Sequence, residues 1–105
     1  MTTTPKRKRG SDPYQDLFHA VLALRTVDEC RRFFKDLATP AELKALSERW
    51  HVARLLAEGE LSYRQIHDET GVSTTTITRV ARFLAQEPNQ GYRLVLDRRK
   101  RSRGQ

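Results

Sequence analysis

The sequence predicts an all-α fold of six helices built around a helix-turn-helix at residues 62–84. Apolar residues recur at helical spacing along the chain between its two basic ends. Capping signals, a Ser or Thr followed three residues later by Glu or Gln, precede three of these apolar stretches. A glycine at position 71 separates two short helical patterns, which is typical of the turn in a DNA-binding helix-turn-helix. No stretch predicts a strand.

The first helix of this pair has a predicted start and a predicted end. Ser62 is placed as an N-cap, and Gln65 three residues later completes a capping box. The helix should end near Thr70, because Gly71 can adopt the left-handed conformation that a residue with a Cβ adopts only at a cost. Ser73 then caps the second helix.

The second helix has two different faces. Its apolar residues follow the i, i+3, i+4, i+7 pattern of a buried face: Ile77, Val80, Ala81 and Leu84. The opposite face carries hydroxyl and guanidinium groups, which donate to phosphates and base edges: Thr75, Thr78, Arg79 and Arg82. No acidic residue occurs between Gly71 and Gln86, whereas an ordinary solvent-exposed helix usually mixes both signs of charge. A DNA-binding helix-turn-helix is therefore favoured over a plain helical hairpin within a bundle.

The positive charge of the chain lies at its two ends. The formal net charge is +7, and nine of the twenty basic residues fall in two terminal clusters: Lys6, Arg7, Lys8 and Arg9, and Arg98, Arg99, Lys100, Arg101 and Arg103. The rest of the chain has eleven basic and thirteen acidic residues, so its net charge is close to zero. Basic arms on a nearly neutral body indicate polyanion binding through counterion release, although a solubilising tail has the same composition.

These ends define the predicted domain organisation. We expect a disordered basic arm at residues 1–11, one folded domain at residues 12–97 and a disordered basic tail at residues 98–105. Acidic membranes would also attract such arms. However, no apolar run approaches the roughly 18 to 20 residues of a membrane span, and no hydrophobic signal sequence follows the basic N-terminus. We expect a cytoplasmic, nucleoid-associated protein with no membrane partner.

The first predicted helix is too apolar to stand alone. Asp12 and Pro13 form an N-cap and N1 pair that opens a helix through Leu24, and apolar residues surround it on almost every side. In a domain this small, the cover that we expect is a second copy of the chain.

Three further helices complete the prediction. Thr26 caps a packing helix, and Thr39 followed by Pro40 begins the longest helix, which runs to about Ala57. Trp50 within it is expected in the core. A last amphipathic helix starts near Gly91.

The chain offers no recognisable catalytic or metal site. His19, His51 and His67 have no nucleophile or paired carboxylate at a typical spacing, and there is no glycine-rich phosphate loop. The single cysteine, Cys30, lies on an apolar stripe and predicts a buried, unreactive thiol. We expect a protein that is not an enzyme and needs no metal and no cofactor.

The segment TPAELKALSERWHVARLLAEGELSYRQIHDETGVSTTTITR resembles the Trp repressor superfamily, and within it the TrpR-related YerC/YecD group of bacterial proteins. The most specific parts are Thr39-Pro40, the step from Gly59 to Ser62, and the run from Thr76 to Arg79. The resemblance implies a Trp repressor-like fold in an intertwined homodimer. Such a dimer presents two helix-turn-helix units to successive major grooves of double-stranded DNA.

The resemblance also implies an effector pocket. In the Trp repressor, an indole-bearing corepressor lies between the long helix and the recognition helix, flanked by two arginines. Those arginines correspond here to Arg49 and Arg79, and a threonine of that site corresponds to Thr39. Val80 and Phe83 stand where the Trp repressor has glycine and serine, so they would fill the indole slot and remove a hydroxyl. We therefore do not expect tryptophan as effector; a smaller ligand, or function without one, remains open.

The predicted function is a homodimeric transcriptional regulator, a repressor, that recognises an operator. Phosphate contacts are expected from residues of the first helix of the helix-turn-helix and of the N-terminal arm: Tyr63, Arg64, Lys6, Arg7, Lys8 and Arg9. Base readout is expected from the recognition helix and its cap: Ser73, Thr74, Thr75, Thr78, Arg79 and Arg82. The alternative is an architectural or protein-interaction module that binds nucleic acid without sequence preference through its arms.

Overall fold

The computed structural model describes the backbone of residues 12–86 and 88–104 of the 105-residue chain, and side chains as far as Arg101. Within these ranges the chain forms six α-helices and no strand, which confirms the predicted fold class. The helices are α1 (Pro13–Leu22), α2 (Val27–Leu37), α3 (Pro40–Glu58), α4 (Tyr63–Thr70), α5 (Thr74–Ala85) and α6 (Gly91–Gly104). The described residues fall into two compact units, which divide after Pro40. No helix of the described part is long and apolar enough to cross a membrane.

Helix α1 begins as the sequence predicts. The Asp12 carboxylate accepts a hydrogen bond from the Tyr14 amide at 2.9 Å, and Pro13 is the first helical residue. The helix ends at Leu22 and not at Leu24. The amide of Leu24 bonds the carbonyl of Val21, three residues back, at 3.1 Å, so the last turn tightens before the helix stops.

Thr26 caps helix α2 as predicted, but only half of the expected capping box forms. Thr26 Oγ1 accepts from the Glu29 amide at 3.0 Å, which is half of a capping box. The Glu29 carboxylate, however, accepts from the Arg25 amide at 2.8 Å, one residue before the cap. The side chain of Glu29 therefore stabilises the α1–α2 connection as well as the start of α2.

None of the described residues of the first unit is buried. Phe18 and Leu22 of α1 and Val27 of α2 are 60–79% exposed. The expectation that Cys30 is buried is wrong, since its side chain is exposed. The apolar stripe of α2 does carry Cys30, as predicted, but helical spacing does not establish that a stripe is covered within one chain.

The core of the protein lies in the second unit. Six buried residues pack into one cluster to which α3, α4, the following turn and α5 all contribute: Val52, Ala53, Ile66, Val72, Ile77 and Val80. Helix α3 is the longest, with 19 residues, and ends where Gly59 adopts a φ of +73°. The core therefore holds the two helices of the predicted helix-turn-helix against the long helix.

Helix α6 starts at Gly91 as predicted and is anchored by aromatic contacts. Tyr92 stacks on Trp50 with ring centroids 6.5 Å apart, and the Arg99 guanidinium lies 5.6 Å from the Trp50 ring. Trp50 is half-buried, so it packs at the edge of the core. The helix continues to Gly104, whereas the basic composition of the tail predicts disorder from residue 98. Arginine and lysine are good helix formers, and a helix already anchored at Trp50 propagates more easily than one that must nucleate.

Candidate nucleic-acid interface

Helix α4 is fixed at its start by the predicted capping box. The Gln65 amide donates to Ser62 Oγ at 3.1 Å, and the Ser62 amide donates to Gln65 Oε1 at 2.8 Å. Two amides that a helix start leaves without partners are thus satisfied reciprocally. This confirms the cap and sets the direction in which α4 leaves the preceding loop.

The turn after α4 depends on a glycine in the left-handed region. Gly71 caps α4 with φ +78° and ψ 0°, as predicted. The next residue, Val72, is buried, and both its backbone polar groups are satisfied by side chains of α4. Its amide donates to Thr70 Oγ1 at 3.1 Å, and its carbonyl accepts from His67 Nδ1 at 2.7 Å.

The sequence pattern predicts no role in this turn for His67 or Thr70. Their contacts form because the chain reverses direction after Gly71 and brings the Val72 backbone against α4. No residue spacing within a helix indicates such a contact. Because a carbonyl that is removed from water without a partner is costly, the His67 side chain stabilises this turn.

Helix α5 begins at the predicted cap. Ser73 Oγ accepts from the Thr76 amide at 3.1 Å. Ile77, Val80 and Leu84 are buried, as the apolar pattern predicts. The other side of the helix is exposed and forms one shallow depression, which we call the reading face: Thr74, Thr75, Thr78, Arg79 and Arg82.

The two arginines of the reading face share one aromatic ring. The guanidinium carbon of Arg79 lies 4.5 Å from the centroid of Phe83, and that of Arg82 lies 5.3 Å from it. Both distances are within the range of a cation–π contact. The resemblance to the Trp repressor superfamily places Phe83 in an effector pocket, and the sequence pattern does not predict this contact.

Two residues predicted to contact phosphate lie on α4. Tyr63, its first residue, is 47% exposed. Arg64 is also exposed, and its Nε lies 3.8 Å from an Asp68 carboxylate oxygen, which is a weak surface ion pair. The other four predicted phosphate contacts, Lys6, Arg7, Lys8 and Arg9, lie outside the described residues.

The five residues of the predicted effector pocket are only partly brought together. Arg49, Arg79 and Phe83 line one cavity of about 330 Å³, together with four residues around the start of α6: Asn89, Gln90, Gly91 and Tyr92. Val80 is buried in the core and does not line this cavity. Thr39 belongs to the first unit.

The sequence pattern does not predict the four cavity residues that surround the start of α6. They follow a break in the helical pattern near Pro88, where spacing carries no information about position. In the described part of the chain, no group of three or more His, Cys, Asp or Glu residues could hold a metal ion.

Comparison with known proteins identifies the family. The sequence model of the Trp repressor protein matches residues 12–100 of the chain. The chain belongs to the Trp repressor family. The YerC protein of Bacillus subtilis strain 168 is 47% identical to it over 90 residues, which cover 86% of this chain and 84% of YerC.

Solved structures of the Trp repressor type have the same fold. A TrpR-like protein from Eubacterium eligens ATCC 27750 is 40% identical and superposes with a TM-score of 0.77, covering 88% of this chain and 93% of the other. A chain from Staphylococcus aureus is 38% identical, with a TM-score of 0.78 and coverage of 94% and 96%. The predicted Trp repressor-like fold and the resemblance to the YerC/YecD group are confirmed. Members of this family are DNA-binding regulators and not enzymes.

Proposed function

We propose that the protein is a transcriptional regulator, acting as a repressor, that binds an operator as a homodimer through α4 and α5. The observation that carries the proposal is the reading face, whose five exposed side chains include two arginines and no acid. Membership of the Trp repressor family supports the same conclusion.

The chemistry of the reading face suits the major groove. An arginine can bond O6 and N7 of guanine with two donors at once, and threonine can donate to or accept from base edges or contact the methyl group of thymine. Ser73 and Thr74, which are also assigned to base readout, stand at the start of α5, where the exposed amides add contacts with phosphate oxygens. Tyr63, Arg64 and the four basic residues of the N-terminal arm would add phosphate contacts that position the helix without selecting a sequence.

The homodimer is supported by the first unit. Phe18, Leu22 and Val27 are strongly exposed although they are large and apolar. Large apolar side chains that are exposed together on two neighbouring helices are typical of an interface with a partner. A two-fold dimer would place two reading faces on half-sites about one helical turn of DNA apart.

Tryptophan is not the effector in this proposal. The Phe83 ring lines the cavity beside Arg49 and Arg79, at the position where the Trp repressor has a serine. A phenylalanine also has no hydroxyl with which to accept a hydrogen bond from an ammonium group. The dimer would bind its operator without a ligand or with a smaller molecule in this cavity.

The test is selection of preferred sites from a random duplex pool by the purified protein at near-physiological salt, with and without tryptophan. We expect a two-fold palindrome in both conditions. An Arg79→Ala/Arg82→Ala variant should lose the preference. An Arg31→Ala/Arg32→Ala variant removes the same charge from exposed positions on α2 and should keep it. Enrichment only with tryptophan would contradict our interpretation of Phe83.

A second function is favoured by one feature of α5. The helix contains neither asparagine nor glutamine, the side chains that recognise adenine with two hydrogen bonds. The protein would then be an architectural or protein-interaction module held to nucleic acid by its basic arms. A pool that stays random despite measurable binding would favour this alternative over the operator-binding regulator.

A further inference from the structure

Phe83 lies between the two arginines of the reading face. Arg79 precedes it by four residues, so the two side chains stand on the same side of α5 one turn apart. Arg82 is its neighbour in sequence. One ring therefore contacts two guanidinium groups, at 4.5 Å and 5.3 Å from its centroid.

The Phe83 ring can contact both arginines because it is not part of the buried core. Val80 and the following buried residue, Leu84, complete the inner side of α5. Phe83 is half-buried and is not part of the buried cluster. A leucine would supply similar apolar volume at this position but has no aromatic face for a cation.

These contacts have a consequence for binding. An exposed arginine has many rotamers, and holding one of them at a base edge costs conformational entropy. An arginine whose guanidinium group already packs on a ring samples fewer rotamers in the free protein, so binding to a base costs less conformational entropy. The negative face of the ring also offsets the repulsion between two neighbouring positive charges.

We propose that Phe83 is a positioning residue that presents Arg79 and Arg82 to DNA as a coupled pair and thereby sharpens sequence discrimination. The role in discrimination rests on the proposed function, whereas the contact itself is a property of the free protein. The two parts are therefore tested separately.

The first test is NMR spectroscopy of arginine side chains in the protein without DNA. In the wild type, the Nε–H groups of Arg79 and Arg82 should show upfield ring-current shifts and restricted motion, and the exposed Arg32 on α2 should show neither. Phe83→Leu should abolish both signatures, and Phe83→Tyr should retain them. Arginine signals that do not change on Phe83→Leu would overturn the proposal.

The second test measures affinity for the selected operator and for operators with one substituted guanine. Phe83→Leu should reduce the discrimination between them about tenfold, as expected for the loss of two cation–π contacts. Its affinity for random DNA should change little. Phe83→Tyr and Phe83→Trp should discriminate like the wild type, and thermal melting should show that all variants are folded.

The outcomes separate this inference from the proposed function. A selective wild type with an equally selective Phe83→Leu variant would overturn the inference and leave the regulator intact. Equal losses in the leucine and tyrosine variants would also overturn it, because packing and not the aromatic face would then be responsible. A wild type with no sequence preference would reject both the regulator and the role in discrimination, even with ring-current shifts present. Less than additive effects of Phe83→Leu and Arg82→Ala would support coupling.

Discussion

Arg79 and Arg82 are the side chains of α5 with the greatest capacity to select a base. Both are exposed, and both extend from a helix whose opposite side is buried through Ile77 and Val80. The burial of one side fixes the rotation of α5 about its axis. The direction in which the arginines point is thus a consequence of core packing, and the phenyl ring of Phe83 then limits their rotamers.

Replacing Arg82 by alanine tests base readout by a single residue. We expect the free energy of binding to the preferred site to become less favourable by about 1 to 3 kcal/mol. The preference for one base at one position of each half-site should also be relaxed. The measurement is a set of binding isotherms for operators substituted one base pair at a time. An Arg82→Ala variant that kept full discrimination at every position would remove Arg82 from the readout set.

The turn between α4 and α5 is the element on which the interface depends. Its shape follows from Gly71 in the left-handed region and from side-chain hydrogen bonds of His67 and Thr70 to the Val72 backbone. A residue with a Cβ at position 71 would meet no atom within 4 Å. The cost of a substitution there is therefore backbone strain without a steric clash.

Gly71→Ala should destabilise the protein by about 1 to 2 kcal/mol, because the left-handed conformation is unfavourable for alanine. The check is urea unfolding followed by circular dichroism. Gly91→Ala is a matched control, since Gly91 begins a helix without a positive φ and also has open space around its Cβ position. That variant should be neutral or slightly more stable. Equal destabilisation by the two substitutions would argue against strain as the cause.

At the scale of the whole molecule, the two units differ in how much they bury. The second unit contains a core of buried residues, whereas no described residue of the first unit is buried. Large apolar side chains on α1 and α2 are left exposed. Their exposure is accounted for when a second copy of the chain covers them, as the proposed homodimer requires.

Phe18→Asp should therefore shift the protein from dimer to monomer. A charge in an apolar interface costs desolvation that no partner offsets. Sedimentation equilibrium over a range of concentrations measures the change. Tyr63→Asp places the same charge at an exposed aromatic residue on α4 and should leave the association unchanged. A Phe18→Asp protein that stays dimeric at low micromolar concentration would place the interface elsewhere.

The contribution of the basic N-terminal arm to DNA binding can be tested by deleting it. Removing residues 1–9 deletes four positive charges and should weaken binding to every DNA sequence alike. If all four contact phosphates, the slope of log K against log salt should become shallower by about 3 to 4, at roughly 0.9 per phosphate. Fluorescence anisotropy across a salt series measures the slope. An unchanged slope would show that the arm is a solubilising tail.

Much of the helix-turn-helix could be predicted from sequence because its determinants are local. The Ser62–Gln65 box and the Ser73 cap join residues three apart, and Gly71 acts through its own backbone dihedrals. Such interactions depend little on the rest of the chain. The base-reading residues follow from the same local pattern, and their contacts with DNA remain a prediction.

The sequence by itself determined the helices, the N-caps at Asp12, Thr26, Ser62 and Ser73, the apolar face of α5 and the family. Tertiary structure decided the features that depend on which segments meet. It left Cys30 exposed, extended α6 to Gly104 beyond its contacts with Trp50, and brought His67 to the Val72 carbonyl. It also placed the guanidinium groups of both reading arginines on one phenyl ring. Helical periodicity specifies which side of a helix a residue occupies, but packing determines what covers that side and which rotamers remain.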